Sequence, residues 1–121
     1  MELRLDGIVA TNTTITREEV GVRSDYPGGL SGQPLKARAR AVIRDIYRHT
    51  EGQLAIIGVG GVAGAEDAYG HLCAGASLVE LYTGLIYEGP GLPSAIKRGL
   101  LDLMRRDGHS SIKQVIGKSA S

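Results

Sequence analysis

Three short apolar runs, each followed at once by small or hydrogen-bonding residues, constrain the fold of this chain more than any other feature. Residues 5–11 are almost continuously apolar and lead into residues 12–14, Asn-Thr-Thr. The runs 55–59 and 77–82 lead into a glycine pair and a threonine. Such runs are typical of parallel strands buried on both faces. Strand ends that gather these residues predict one shared ligand site, as on the active face of an α/β barrel.

Amphipathic helices are expected between and after the strands. The pattern predicts a first helix after Pro34, with one apolar face and with Gly52 at its end. A second helix, about Ala65 to Ala74, carries Glu66-Asp67 at its positive end and stops at Gly75. Strands that alternate with helices predict parallel pairing through right-handed crossovers.

The C-terminal part of the chain predicts one further long helix. Its apolar face is assigned to Ile96, Leu100, Leu101 and Met104, and it stops near Gly108. Residues 110–121 are expected to form one short helical turn and then to fray.

Chain length limits the architecture. At 121 residues the chain is long enough for one domain with a core, whereas a complete eightfold barrel needs at least about 200 residues. We therefore expect either a small α/β domain or about the last half of a larger one. Three parallel strands leave both sheet edges open, so the sheet is expected to pair with a missing segment or with a second copy.

Composition argues against several classes of protein. The net charge of +1 argues against a nucleic-acid binder driven by bulk electrostatics. Cys73 is the only cysteine, so no intrachain disulfide can form and a reducing compartment is expected. No run approaches the ~18 apolar residues of a membrane span, and residues 1–6 do not resemble a signal peptide. These features predict a soluble chain.

The strongest motif pairs Gly58-Val-Gly-Gly61 with the segment that ends in Tyr82-Thr83. Glycines allow backbone N–H groups to approach a dianion, and a following helix N-terminus adds partial positive charge. Thr83 is expected to cap the short turn after it. The alternative is that these glycines only form tight turns, and for the first motif alone the two interpretations have about even odds.

Two other segments are site candidates. Asn12 and Thr13 offer an amide and a hydroxyl that suit a planar ligand, although these residues alone slightly favour a simple turn after a strand. The glycine- and proline-rich loop 26–34 is unusually long, and Gly32 would let its backbone approach a ligand. The alternative is that the loop is only a turn before a helix that starts at Pro34.

Taken together, these motifs resemble dihydroorotate dehydrogenase, specifically its quinone-dependent, membrane-associated class 2. The segments that carry the resemblance are Asp6-Gly-Ile-Val-Ala-Thr-Asn-Thr-Thr14, Gly28-Gly-Leu-Ser-Gly-Gln-Pro-Leu35, Ile56-Ile-Gly-Val-Gly-Gly61 and Ala74-Gly-Ala-Ser-Leu-Val-Glu-Leu-Tyr-Thr83. The resemblance covers nearly the whole chain. It departs from the family at Ala39 and Arg40, where most members have a Ser-Thr pair.

The resemblance implies an α/β fold that forms the C-terminal portion, about strands six to eight with their helices, of a (β/α)8 TIM-type barrel. Residues 1–121 would be a single partial domain that binds FMN. The family oxidises dihydroorotate to orotate in pyrimidine biosynthesis. The residues implied as FMN contacts are Thr11, Gly32, Gly61, Tyr82 and Thr83, and those implied as substrate ligands are Asn12 and Thr13.

The resemblance also implies what this chain lacks. It begins at the family's sixth strand, so no catalytic base is assigned here, and quinone would be a partner only through the parent enzyme's N-terminal segment. The parent would be peripheral to the inner (cytoplasmic) membrane and this fragment soluble and cytoplasmic. Two alternatives are a non-catalytic, self-associating half-barrel that binds phosphate or flavin, and another phosphate-binding barrel enzyme.

The remaining charged and polar residues predict no further site. Lys36, Arg40, Arg44 and Arg48 form a basic stripe that is interpreted as a solvated helix face. His49, His71 and His109 lack metal-ligand spacing and are expected at the surface or at helix ends. Cys73 is expected to be a small buried residue. Glu80 is expected to face a polar partner across the barrel.

Overall fold

The computed structural model describes residues 4–16 and 27–121. Tyr26, the first residue of the predicted loop 26–34, lies outside the described residues. The elements, in chain order, are β1 (Gly7–Ala10), α1 (Lys36–His49), β2 (Ala55–Val59), α2 (Ala65–Ala74), β3 (Leu78–Glu80), α3 (Thr83–Glu88) and α4 (Leu92–Arg106). Short 3-10 turns at Gln33–Leu35 and Ile112–Gln114 precede α1 and follow α4.

The three strands form one parallel sheet in the order β1-β2-β3. Gly7 to Ala10 pair in register with Ala55 to Gly58, and Ile57 to Val59 pair with Leu78 to Glu80. This confirms the predicted α/β class and the parallel pairing. It also brings the carboxyl ends of all three strands to one edge of the sheet.

Only one face of the sheet is covered by the described residues, so the expectation of strands buried on both faces is wrong. On the helix side, Ala10, Ile56 and Gly58 are buried against α1 and the end of α2. On the other side Val9 is 55% exposed and Leu78 is 62% exposed. The physical reason is that every described helix that contacts the sheet packs on the same face.

The helical layer is where most of the core lies. Helix α2 packs on α1 and on α4, and one cluster joins α2, α4 and the C-terminal segment. We call it the helical cluster; it contains Tyr69, Leu72, Cys73, Leu103, Met104 and Val115. The prediction that Cys73 is buried is therefore confirmed.

Two predictions for the C-terminal part were wrong. Leu101 is 52% exposed, and Leu103 takes its place in the core, because the face of α4 that meets α2 is rotated relative to the assigned stripe. Residues after 110 do not fray: Val115 and Ala120 are buried. The Gly117 and Ser119 N–H groups donate to the carbonyls of Leu72 and Cys73, which ties this segment to the end of α2.

Within residues 4–16 and 27–121, no helix is long and apolar enough to cross a membrane.

Candidate functional site

A cleft of about 180 Å³ opens at the carboxyl ends of the three strands. Six of the seven predicted site residues line it: Thr11, Thr13, Gly32, Gly61, Tyr82 and Thr83. They come from three strand ends and from the loop before α1, so the parallel register is what brings them together. We call this the strand-end cleft.

Asn12 is the predicted site residue that the cleft does not include. Its side chain is exposed, and its Oδ1 accepts a hydrogen bond of 2.8 Å from the backbone N–H of Thr13. The loop before α1 lies across the end of β1, because Thr14 and Leu30 form an isolated antiparallel bridge. That bridge places Gly32 beside the cleft.

The turn after β2 requires glycine. Gly61 has φ +70°, and a Cβ added there would lie 2.5 Å from Cβ of Lys36 and 2.8 Å from its Cα and backbone N. Gly60 has φ +122°, and its Cβ would crowd Leu35 and Ala39. A side chain at either position would be strained. The turn therefore lies against the first residues of α1 and presents main chain, rather than side chains, to the cleft.

The start of α3 also lines the cleft, together with the loop before α1 and the turn after β2. The hydroxyl Oγ1 of Thr83 donates to Oγ of Ser31 at 2.9 Å, and a Cβ on Gly32 would lie 3.3 Å from Cγ2 of Thr83. The predicted cap was wrong: Tyr82 is the N-cap residue, and the helix start has no side-chain cap hydrogen bond. The Thr83 hydroxyl instead links α3 to the loop that carries Gly32.

Thr11 contributes an unused polar atom to the same cleft. Its backbone N–H donates to the Val59 carbonyl at 2.9 Å, which continues the strand pairing past β1. Its hydroxyl Oγ1 is buried and has no hydrogen-bond partner among the described residues. A buried hydroxyl without a partner costs free energy unless a ligand or water satisfies it. Glu80 also lines the cleft, and no partner for its carboxylate is seen among residues 4–16 and 27–121.

The basic stripe is not a solvated face, so that interpretation was wrong. Lys36 Nζ lies 2.7 Å from Oδ1 of Asp67, and the Arg40 guanidinium donates to the Asp67 carbonyl at 3.2 Å. Arg48 donates to the Ala120 carbonyl. The reason is that α2 and the C-terminal segment pack along this side of α1. The guanidinium of Arg40 lies over Gly70, where a side chain on residue 70 would collide with it.

His71 lies in the last turn of α2, which agrees with the expected helix-end position, but it is in the protein interior rather than at the surface. It is fully buried on α2, and Cδ2 of its ring would lie 3.1 Å from a Cβ on Gly58. Neither ring nitrogen has a hydrogen-bond partner of ordinary geometry among the described residues. Burial lowers the pKa of His71, and the neighbouring Arg40 charge lowers it further. The ring is therefore neutral at pH 7 and packs against Gly58 near the end of β2.

Asp67 was recognised in the sequence only as a residue of the first turn of α2. In the structure its carboxylate accepts hydrogen bonds from Lys36, from Gln33 Nε2 at 3.3 Å and from the Ala63 N–H at 3.1 Å. Its partners lie up to 34 residues away, and no local pattern links such positions. Ser31 was missed for a similar reason, although its place beside Gly32 in the predicted loop was an available signal.

The described residues contain no group of three or more His, Cys, Asp or Glu side chains that could hold a metal ion.

Comparison with known proteins gives consistent matches. A family model for dihydroorotate dehydrogenase matches residues 1–104. The dihydroorotate dehydrogenase (quinone) of Roseiflexus castenholzii is 54% identical over 98% of this chain and 33% of its own length. That of Deinococcus deserti is 47% identical over 96% of this chain and 32% of its own length.

A solved structure, the ligand-free DHODH of Eimeria tenella, superposes with a TM-score of 0.87 at 44% identity, over 94% of this chain and 32% of that one. The chain therefore spans about a third of the length of the relatives it matches, rather than the half that its length first suggested.

Proposed function

Because the chain belongs to the dihydroorotate dehydrogenase family, we propose that it forms an FMN- and orotate-binding part of such an enzyme. The part assigned is the C-terminal portion of a (β/α)8 barrel, about strands six to eight. The observation that carries this proposal is the convergence of Thr11, Gly32, Gly61 and Thr83 on one cleft at the strand ends. The proposed activity of the whole protein is the oxidation of dihydroorotate to orotate in pyrimidine biosynthesis.

The residues of the strand-end cleft fit FMN. The turn at Gly60-Gly61 and the start of α3 would hold the phosphate through backbone N–H groups, and Thr83 would add a hydroxyl. The buried hydroxyl of Thr11 would gain the partner that it lacks. Gly32 and Tyr82 would complete the FMN contacts beside them.

In this scheme FMN supplies hydride acceptance, and the chain supplies binding and orientation. Asn12 and Thr13, at the end of β1, are the proposed ligands of the pyrimidine. An amide and a hydroxyl offer both donors and acceptors to its edge. We assign no catalytic base to this chain. Quinone is the proposed partner of the whole protein, and we assign its binding to other parts of that protein. We assign the peripheral attachment of the whole protein to a membrane to those other parts as well.

A chimera tests the proposal. The third of the Roseiflexus castenholzii relative that matches this chain is replaced by residues 1–121, and bound flavin is measured by its visible absorption after unbound flavin has been removed. Dihydroorotate is then added without oxygen. We expect retained FMN that loses its absorption at about the rate seen in the unaltered relative. A folded chimera that holds FMN and stays oxidised would contradict the substrate assignment, and one that holds no FMN would contradict the cofactor assignment.

A second candidate is a self-associating flavin- or phosphate-binding module without catalysis. It is favoured by the uncovered sheet face, where Val9 and Leu78 are both more than half exposed. Sedimentation of the purified chain at several concentrations distinguishes the two. A stable dimer that binds FMN but remains oxidised with dihydroorotate would favour this candidate, and a monomer would exclude self-association.

A further inference from the structure

Asp67 is the point where three separate segments of the chain meet. It lies in the first turn of α2, and 15% of its side chain is exposed. Its Oδ2 accepts hydrogen bonds from Gln33 Nε2 and from the Ala63 N–H, while its Oδ1 lies 2.7 Å from Lys36 Nζ. Gln33 and Lys36 lie on the continuous stretch formed by the 3-10 turn and the start of α1, as does Arg40, whose guanidinium is 3.6 Å from Oδ1, and Ala63 lies in the loop after β2. With α2 itself, three segments therefore meet at Asp67.

Each partner is next to a part of the strand-end cleft. Gln33 follows Gly32, and Ala63 is two residues after Gly61. The backbone of Lys36 is the surface on which Gly61 packs, because a Cβ added to Gly61 would lie only 2.8 Å from the Lys36 backbone N. Asp67 does not line the cleft itself. A carboxylate in this position fixes the distance between the two glycine turns without touching what they bind.

The charge of Asp67 is suited to this arrangement. Burial acts to raise the pKa of Asp67, but the hydrogen bonds from Lys36, Ala63 and Gln33 outweigh it and lower the pKa below its usual value. The group is therefore ionised at pH 7. Hydrogen bonds to an ionised group are stronger than those between neutral groups, so this one carboxylate can hold both the start of α1 and the loop after β2 against α2.

We propose that Asp67 is a positioning residue for the phosphate site, which sets the turn at Gly61 and the loop at Gly32 in the relative arrangement that phosphate binding requires. The inference rests on the proposed function, because it assumes that this cleft binds the FMN phosphate. It adds a residue that contacts no ligand and that acts through the main chain of both turns.

Riboflavin gives the decisive comparison because it has the flavin ring of FMN but no phosphate. The affinities of the chain for FMN and for riboflavin are measured by quenching of flavin fluorescence, in the wild type and in Asp67→Ala. We expect the preference for FMN to fall by about tenfold, which corresponds to about 1.4 kcal/mol, with riboflavin binding changed less than twofold. A general loss of structure would weaken both ligands equally.

Two further variants keep the result interpretable. Asp67→Asn preserves the size of the side chain and one acceptor oxygen, so it should fold and should lose part of the preference. Asp107→Ala removes another carboxylate that is held by a lysine, Lys118, at 2.8 Å, but in the helical cluster region and away from the cleft. It should lower stability and leave the preference for FMN unaltered.

The outcomes separate the two proposals. A wild-type chain that binds FMN no better than riboflavin overturns the phosphate site of the proposed function, and the role of Asp67 with it. A wild type that prefers FMN, with Asp67→Ala and Asp67→Asn retaining that preference, overturns the role of Asp67 alone. Amide hydrogen exchange gives a readout without ligand: we expect faster exchange at Leu35 and Ala63 in Asp67→Ala, and unchanged exchange at both would also overturn it.

Discussion

Main-chain turns shape the strand-end cleft, whereas buried side chains fill the helical cluster. In the helical cluster, buried side chains such as Leu72, Leu103 and Val115 fill the space between α2, α4 and the C-terminal segment. In the strand-end cleft, Gly32 packs closely on Thr83 and Gly61 packs closely on Lys36, where an added side chain would be crowded. Stability therefore depends mainly on side-chain burial in one region, and the proposed binding on main-chain geometry in the other.

Two polar networks show the same contrast. In the cluster region, Tyr69 OH and Lys118 Nζ both donate to Oδ2 of Asp107 at 2.8 Å, and they join helices to the C-terminal segment. Beside the cleft, Asp67 joins loops and the first turn of α1. If the two regions are independent, variants in one should change stability without ligand preference, and variants in the other should change ligand preference most.

The largest effect on stability is expected for Leu103→Ala. Leu103 is 8% exposed in the helical cluster, and truncation of a buried leucine costs about 2–5 kcal/mol. Leu101→Ala is the matched control on the same helix: that side chain is 52% exposed, and its loss should cost less than about 0.5 kcal/mol. Urea unfolding measures both. Equal costs would show that α4 does not pack as described.

The next effect should be on binding. Gly61→Ala places a Cβ 2.8 Å from the Lys36 backbone at φ +70°, so the turn must move. We expect the preference for FMN over riboflavin to fall at least tenfold, together with about 1–2 kcal/mol of lost stability from the left-handed backbone. Gly108→Ala is the control, since Gly108 has φ +75° and open space around it. Gly108→Ala should lose similar stability and keep the preference for FMN over riboflavin. An equal loss of that preference in both variants would contradict the independence of the strand-end cleft and the helical cluster.

The fold and the candidate site could be predicted from the sequence only in part, and the predictable part is the one with local signals. The helices and the parallel strands were predictable because their signals, apolar periodicity and glycine stops such as Gly75, are local. Six of the seven site residues were brought to one cleft because strand ends meet wherever strands pair in parallel. The phosphate contacts themselves remain a prediction.

The features that were not predicted depend on which surfaces pack together. Local sequence patterns do not encode that packing. Leu101 and Leu103 differ by a rotation of the helix face, and only the position of α2 selects between them. The ion pair of Lys36 with Asp67 and the burial of His71 arise where α1 and α2 pack, from residues distant in the chain. The anchored C-terminal segment was missed for the same reason: its partners are the carbonyls at the end of α2.

His71 lies between the two regions, and its effect should depend on pH. Because its pKa is lowered on folding, the unfolded chain binds a proton below pH 6.5 that the folded chain does not. The stability of the wild type should therefore be full above pH 6.5 and should fall, by up to about 1.4 kcal/mol per pH unit, as the pH drops below it. His71→Leu should lose that part of the slope. Unfolding free energies at pH 7.5, 6.5 and 5.5 test this, and identical slopes in the two proteins would mean that folding does not lower the pKa of His71.

The smallest effect is expected for Thr83→Val, which keeps the shape of the side chain and removes its hydroxyl. We expect FMN to bind about threefold to tenfold more weakly, since one hydrogen bond contributes about 0.5–1.5 kcal/mol, and riboflavin to bind as before. Thr83→Ser should restore FMN affinity because it keeps the hydroxyl.

Ser31→Ala separates two explanations of the Thr83→Val effect, since it removes only the 2.9 Å hydrogen bond between the two hydroxyls. If Ser31→Ala reproduces the loss, Thr83 acts by holding the Gly32 loop; if it does not, the hydroxyl binds the phosphate directly. Equal weakening of riboflavin by Thr83→Val would refute both.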